Sequence, residues 1–383
     1  TARGNTITAR ELLDRGAEEI RGRLGGQPLS RARLLDTIGR VYQQLELHEP
    51  AESLMREALA IREANLGSEH PEVGTSLDHL GDLQWIRGDY PAAEITLRRA
   101  LAIRERAFGR ESLAVADVLD NLGSVYEIQA RYAEAEKTHT RALAIREREL
   151  GPEALPVASS LDDLAVSHID RGDGAAAEPL FRRAMAIRES HLGADSPEVA
   201  TTANGLAIAL HQARRFDESV AVHARALAIR EKVFGPEGSS VAQSLLNLAS
   251  DYLELGRYAE AEAAILRATA IWEKNLGPDH PRIGTARLSL ADLYLRRGDP
   301  AHAEPILRAA VSTYERALGP EHPRLANALK SLADCLLALG RMEESRALCG
   351  RALAIREKAL GPENALTVET REACGTPAQA PSS

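Results

Sequence analysis

The chain of 383 residues repeats itself, and this repeat limits what it can fold into more than any other feature. The sequence Ala-Leu-Ala-Ile-Arg-Glu first appears complete at residues 58–63 and returns down the chain, each time followed by glycine. These glycines recur at a constant step of 42 residues. A period of this length is typical of solenoids, in which each repeat buries its apolar face only against its neighbours. The glycines are Gly67, Gly109, Gly151, Gly193, Gly235, Gly277, Gly319 and Gly361.

The apolar spacing within one repeat predicts two helices. In the repeat that begins at Pro71, apolar and small residues recur every three to four positions up to Gln84, which is one face of a helix. Gly88 then interrupts the pattern, and a second helix is predicted from about Pro91 to just before Gly109. The chain is therefore predicted to be an all-α solenoid of antiparallel helix pairs. Small residues at one position of each first helix, such as Gly81 and Gly123, are expected where two helices cross closely.

The register of the repeat divides the chain into three parts. Residues 1–28 are predicted to be a helix from a degenerate leading repeat. Residues 29–374 are predicted to form eight 42-residue helix pairs followed by a helix that caps the last pair. Residues 375–383 are rich in proline, alanine and serine, and are predicted to be disordered.

Composition excludes several classes of partner. The net charge of −9 and the aromatic content of 4% argue against nucleic acid, which needs a basic stripe or stacking platforms. No apolar run approaches the ~20 residues needed to span a membrane, so we predict no membrane insertion by this chain. Cys335, Cys349 and Cys374 lack metal-type spacing. We interpret them as reduced thiols, which favours a cytoplasmic protein without cofactors.

One repeat carries a family pattern. The residues that fall on it are Leu119, Leu122, Gly123, Tyr126, Ala135 and Ala142. The repeat resembles a tetratricopeptide repeat, although His139 stands where that family prefers a large apolar residue. The 42-residue step and the Leu-Gly-x-x-His-Pro linker at residues 276–281 and 318–323 resemble the kinesin light chain subtype, which is widespread in bacterial proteins. The resemblance implies a right-handed superhelix whose first helices line a concave groove for a peptide or partner protein.

A second resemblance concerns residues 4–16 and 35–42. They look like the start of the repeat region that follows the kinase domain in certain bacterial serine/threonine protein kinases. This resemblance implies a kinase domain before Thr1. The chain itself contains no glycine-rich phosphate loop, no His-Arg-Asp and no Asp-Phe-Gly, so we predict that it is not an enzyme.

The groove can be read from the face of each first helix that lies opposite its core. This stripe is acidic in the first half of the chain and more apolar in the second half, with Leu246, Leu253, Leu288, Leu295 and Leu337. One interpretation is a groove for an extended segment that is basic at one end. The other is that the acids keep an acidic protein soluble. The predicted groove residues are Asp78, Asp82, Asp117, Asp120, Asn121, Glu127, Asp162, Asn204 and Asn247.

Two further features run along the second helices. An arginine beside a glutamate recurs in six repeats and predicts an outer ladder of ion pairs between neighbouring repeats. Trp272 and Tyr314 interrupt that ladder in two adjacent repeats, which indicates either drift or an exposed contact edge. The histidines, including His139, His211 and His223, are interpreted as structural and not as metal ligands. The arginines are Arg62, Arg104, Arg146, Arg188, Arg230 and Arg356.

Three functions are compatible with the sequence. The first is a scaffold that binds a peptide or partner protein in its groove. The second is the regulatory or substrate-recruiting region of a bacterial serine/threonine kinase. The third is a self-assembling structural module, and the sequence leaves the oligomeric state open.

Overall fold

The computed structural model describes residues 9–375, so residues 4–8 of the kinase-like stretch and residues 376–383 of the predicted tail lie outside the described part. Within residues 9–375 all regular elements are α-helices. They are α1 (Ala9–Arg23), α2 (Pro28–Gln44), α3 (His48–Leu66), α4 (Pro71–Ile86), α5 (Tyr90–Phe108), α6 (Leu113–Ile128), α7 (Tyr132–Leu150), α8 (Leu155–Asp170), α9 (Gly174–Leu192), α10 (Pro197–Gln212), α11 (Phe216–Phe234), α12 (Ser239–Glu254), α13 (Tyr258–Leu276), α14 (Pro281–Arg296), α15 (Pro300–Leu318), α16 (Pro323–Ala338), α17 (Met342–Leu360) and α18 (Ala365–Gly375).

The helix ends follow from residues with special backbone chemistry. Pro71 opens α4 at the first helical position, where its missing N–H has no intrahelical partner, and His70 accepts a hydrogen bond from the Glu72 N–H. Asp89 caps α5 by accepting from the Ala92 N–H. Gly109 ends α5 with φ of +84°, a conformation that favours glycine. The whole 42-residue glycine series ends second helices in this way, with φ between 77° and 87°.

Each first helix packs against the second helix that follows it, and the crossing needs a small residue. A Cβ atom added at Gly81 would lie 2.6 Å from Cγ of Leu97. One added at Gly123 would lie 2.4 Å from the His139 ring. The prediction that glycine or alanine at this position permits close packing is confirmed, because these contacts leave no room for a larger side chain.

The chain forms two compact bodies, Thr1–Gly193 and Ala194–Ser383. We call them the N-terminal body, whose described part holds α1 to α9, and the C-terminal body, which holds α10 to α18. In each body the core lies between successive helix pairs. Val73, Leu97 and Val118 join α4, α5 and α6 in the N-terminal body. Val241 and Trp272 belong to a corresponding core in the C-terminal body.

The last helix is covalently attached to the last pair. Cys349 of α17 and Cys374 of α18 form a disulfide with a Cα–Cα distance of 5.7 Å, while Cys335 is free and buried. The prediction of three reduced cysteines is therefore wrong for two of them. A separation of 25 residues does not by itself indicate a disulfide. The two sulfurs come together only because α18 packs on α17. Helix α18 also includes Gly375, so the predicted start of the disordered tail at residue 375 is wrong by one residue.

No helix within residues 9–375 combines the length and the apolar character that crossing a membrane requires.

Candidate functional site

The first helices of the N-terminal body lie side by side and exchange polar contacts. Nδ2 of Asn121 on α6 donates to Oδ1 of Asp78 on α4 over 2.9 Å. Nε2 of Gln43 on α2 donates to Oδ2 of Asp82 on α4 over 2.6 Å. These contacts surround a polar cleft of about 290 Å³. The residues that line this polar cleft are Arg40, Gln43, Gln44, Asp78, His79, Asp82 and Asn121.

Acidic residues of the stripe hold buried arginines from the second helices. Arg104 of α5 lies 3.0 Å from Asp78, and the side chains are 8% and 9% exposed. Arg62 pairs with Asp36 over 3.2 Å in the preceding pair of helices. Arg146 pairs with Asp120 and, over 2.9 Å, with Asp117, and Arg188 pairs with Asp162. The prediction that these arginines form an outer ladder is wrong, because they point into the protein and neutralise the stripe.

Several arginines of the repeated motif also bond the first helix of the next pair within the same body. Arg62 donates to Ser76, Arg146 to Ser160, and Arg230 to Ser244 over 2.6 Å. The residue equivalent to Ser76 in the next repeat is Val118, which has no acceptor in its side chain. Arg104 donates instead to the Ala114 carbonyl over 2.7 Å. One guanidinium therefore connects three helices, which its fixed set of five donors permits.

An outer ladder does exist, but with different arginines. In five repeats, the glutamate of the motif pairs with an arginine 36 residues further along, in the next second helix. Exposed pairs of this kind contribute only about 0.2–1 kcal/mol each. The pairs are Glu63–Arg99, Glu105–Arg141, Glu147–Arg183, Glu231–Arg267 and Glu315–Arg351.

A second polar site lies on α6, α7 and α8. Nδ1 of His139 is 3.5 Å from Oδ1 of Asp120, and its Nε2 is 3.3 Å from Oε1 of Glu127. Burial lowers the pKa of His139, but the carboxylates of Asp120 and Glu127 outweigh it and raise that pKa to about 9. Burial, together with the charge of Asp120, raises the pKa of Asp163 to about 7. We call these four residues the His139 cluster.

The sequence of the chain matches the model of one protein family along most of its length. The tetratricopeptide repeat model matches residues 30–106, 75–148, 112–190, 156–232, 198–270, 240–316 and 324–376. The chain belongs to the tetratricopeptide repeat family. No curated protein sequence matches the chain at a significant level. Tetratricopeptide repeats generally act as scaffolds for protein interaction and are typically not catalytic.

Solved structures are similar to this tetratricopeptide chain. The nearly identical TPR-like repeats of a kinesin light chain candidate from Podosopora anserina share 26% identity over 54% of this chain and 98% of that chain, with a TM-score of 0.46. Aspartyl phosphate phosphatase F from Bacillus subtilis shares 14% identity over 92% of this chain and 90% of its own, with a TM-score of 0.58. The STAND ATPase with a tetratricopeptide repeat sensor from Pyrococcus horikoshii shares 13% identity over 97% of this chain and 56% of its own, with a TM-score of 0.59. The last two show a shared fold.

The tetratricopeptide array brings together only part of the predicted groove set. Asp78, Asp82 and Asn121 line the polar cleft. Asp120 and Glu127 belong to the His139 cluster, while Asp117 and Asp162 face arginines outside the cleft. Asn204 and Asn247 lie in the C-terminal body, where the Asn247 amide donates to Oδ1 of Asn204 over 2.8 Å.

The second half of the stripe is less apolar than expected. Leu246 and Leu253 are buried in the core of the C-terminal body, at 7% and 6% exposure. Leu246 packs in the same core as Trp272, which is also buried. Tyr314 is buried as well, so the hypothesis of an exposed aromatic edge is wrong. Of the other leucines in the stripe, Leu288 and Leu295 are half-buried and Leu337 is exposed. The stripe in this body also exposes polar side chains such as Gln243 and Ser250.

A buried polar network in the C-terminal body was missed. Asp251 of α12 lies 2.7 Å from Nδ1 of His211 and 2.7 Å from Nδ1 of His223, and it accepts from Ser219 over 2.8 Å. His211 is thus not isolated. Burial raises the pKa of Asp251, but the hydrogen bonds from His211 and His223 outweigh it and hold that pKa below its ordinary value.

Proposed function

We propose that the polar cleft on α2, α4 and α6 binds an extended segment of a partner protein. Three observations support this. The chain belongs to a family of interaction scaffolds. The cleft of about 290 Å³ lies on the first helices, and it offers donors and acceptors together. A segment with few internal hydrogen bonds needs such groups along its backbone.

Asp82 carries the proposed preference for a basic residue. It is half-buried, and in the described part of the chain it forms no ion pair, in contrast to Asp78 with its Arg104. Its Oδ2 accepts from Gln43, which fixes the carboxylate in the cleft. A lysine or arginine of the bound segment can therefore pair with a preorganised, partly desolvated charge.

Asn121 and Arg40 are suited to bind the backbone of the segment. The Asn121 amide nitrogen donates to Asp78, so its Oδ1 is oriented and accepts no hydrogen bond from a described residue. That oxygen can accept a peptide N–H. Arg40 is exposed, lines the same cleft and forms no ion pair with the residues that the structure describes, so it can donate to a peptide carbonyl.

The test is a peptide selection on the full chain followed by binding measurements. Peptides selected from a random displayed library are measured by fluorescence anisotropy with the wild type, with Asp82→Lys and with Glu153→Lys. Glu153 is an exposed linker carboxylate outside the cleft, so this control makes the same change of charge. We expect basic residues in the selected peptides and an affinity loss of at least about tenfold for Asp82→Lys alone, or ~1.4 kcal/mol. Equal affinities for Asp82→Lys and the wild type would contradict the proposal.

The kinase-associated function stays a second proposal, carried by the resemblance of residues 4–16 and 35–42. A kinase assay on the complete gene product, with this chain as the comparison, tests it: activity confined to the longer product supports it, and a product without kinase motifs contradicts it. A cytoplasmic location also stays a prediction. The disulfide between Cys349 and Cys374 weakens its premise of fully reduced cysteines.

A further inference from the structure

We propose that Asp120, His139 and Asp163 bind a divalent transition-metal ion, for which Zn²⁺ is the probe. Each residue offers one ligand atom, and these atoms lie within 4.8 Å of one another. One imidazole nitrogen and two carboxylate oxygens suit first-row transition metals, whereas calcium prefers six to eight oxygens. The site goes beyond the proposed function, since a metal can bind there whether or not the polar cleft holds a peptide.

The neighbouring repeats show what is unusual about this position. Where first helices meet in the N-terminal body, Asp36 faces His79 at 3.1 Å, and Asp78 faces the Asn121 amide at 2.9 Å. Both of those carboxylates therefore meet a group that can donate a hydrogen bond. The next carboxylate in the series, Asp120, instead has the carboxyl group of Asp163 within 4.8 Å. Two half-buried carboxyl groups side by side repel each other unless a proton or a cation lies between them.

Asp163 has fewer protein partners than Asp120, so a cation between the two carboxyl groups would stabilise Asp163 more. Asp120 pairs with Arg146 through Oδ2, which leaves Oδ1 directed to His139. Asp163 is half-buried, and it accepts no hydrogen bond from any residue in the described part of the chain. Its carboxylate oxygens are therefore not committed to a protein donor, and they can coordinate a metal ion.

The histidine is held in place for coordination. Its side chain is 0% exposed, and its ring lies over Gly123, where an added Cβ would approach to 2.4 Å. Nε2 of His139 and Oε1 of Glu127 are buried without a hydrogen bond, although they lie 3.3 Å apart. When Nδ1 binds a metal, Nε2 carries the proton, and Glu127 is the group that can accept it. A carboxylate behind a metal-binding imidazole orients the ring in this way in many metal sites.

The experiment measures Zn²⁺ binding to the full chain by calorimetry after treatment with a chelator. We expect one Zn²⁺ per chain in the wild type and an affinity loss of at least about tenfold in Asp163→Asn and in His139→Gln. Asparagine occurs at the Asp163 position in the repeats of Asn121 and Asn247, so this variant keeps a residue that the fold accepts. His191→Gln removes an exposed histidine outside the cluster and should bind like the wild type.

Two results would overturn the site. The first is the absence of stoichiometric binding, which would mean that a proton and not a metal lies between the carboxyl groups. The second is equal affinity in the wild type and Asp163→Asn, which would mean an adventitious ion only. Co²⁺ absorption spectra of the wild type decide the case even if a variant fails to fold. Visible d–d bands that saturate at one equivalent support the proposal, and spectra identical to those of free Co²⁺ contradict it.

Discussion

Arg104 and Asp78 form an ion pair in the interior of the N-terminal body, with 3.0 Å between the guanidinium nitrogen and the carboxylate oxygen. The two residues are 26 positions apart, as are Arg62 and Asp36 in the preceding repeat. The acids on this face of the first helices are therefore internal counter-ions as much as groove residues. This leaves Asp82 as the cleft carboxylate without an arginine partner.

Removing both members of this pair should cost less than the two single losses added together. Asp78→Leu leaves Arg104 buried without its partner, and we expect a loss of about 3–5 kcal/mol in the free energy of unfolding. The double variant Asp78→Leu/Arg104→Met should lose less than the sum of the two single variants. Urea denaturation of the four proteins measures this coupling, and strictly additive losses would show that the pair is not coupled.

Glycine at position 123 is required by the ring of His139. Gly123→Ala places a methyl group 2.4 Å from that ring, and we expect a destabilisation of about 1–3 kcal/mol from overpacking. Gly350→Ala in α17 is the matched control, because no atom lies within 4 Å of its added Cβ. That variant should be neutral or more stable by about 0.5–1 kcal/mol, since alanine favours a helix. Thermal melts that rank the two variants the other way would contradict the packing.

The network around Asp251 predicts a dependence on acid pH. The pKa of Asp251 is lower in the folded chain than the ordinary value near 4. Its contribution to stability is therefore complete above about pH 4, and it is lost as the pH falls through the lowered folded pKa.

Asp251→Asn isolates this contribution. At neutral pH the variant should lose about 1–3 kcal/mol, because His211 and His223 lose a charged acceptor. The difference between wild type and variant should shrink below pH 4 in urea denaturation. A difference that stays constant down to the acid transition would show that the carboxylate is not the group responsible.

Reduction should loosen the last helix without unfolding the rest. The disulfide joins residues 25 positions apart, and closing a loop of this size contributes roughly 3 kcal/mol. With a dithiol reductant, or in Cys374→Ser, we expect faster hydrogen exchange in α18 and unchanged exchange in α4. Cys335→Ser is the control because Cys335 is a free thiol. Unchanged exchange in α18 would mean that packing on α17 alone holds the helix.

The fold was predictable because one signal recurs along the whole chain. Every glycine of the 42-residue series ends a second helix with positive φ, and small residues such as Gly81 lie where helices cross. Because the step between these glycines is constant, the end of a second helix could be predicted in every repeat from the same pattern. The His211, His223 and Asp251 network has no such repetition, so nothing in the sequence linked its members.

The buried ion pairs have a signature in the sequence, which is a spacing of 26 residues. Arginine pairs with aspartate 26 residues earlier in four repeats, but Trp272 and Tyr314 have Leu246 and Leu288 at that distance. In these two repeats an apolar pair therefore takes the place of the charged pair. The acidic groove residues Asp78, Asp120 and Asp162 were predicted from a face pattern that ignores such partners. Reversing all three to lysine would unfold the protein before it reported on binding.

We expect a basic residue of the bound segment to pair with Asp82 in the polar cleft, and a charge swap is the sharpest test of this ion pair. A selected peptide and its variant with that basic residue changed to glutamate are titrated against the wild type and Asp82→Lys. If this ion pair forms, the wild type binds the basic peptide more tightly and Asp82→Lys binds the acidic peptide more tightly. The same preference for the basic peptide in both proteins would contradict it.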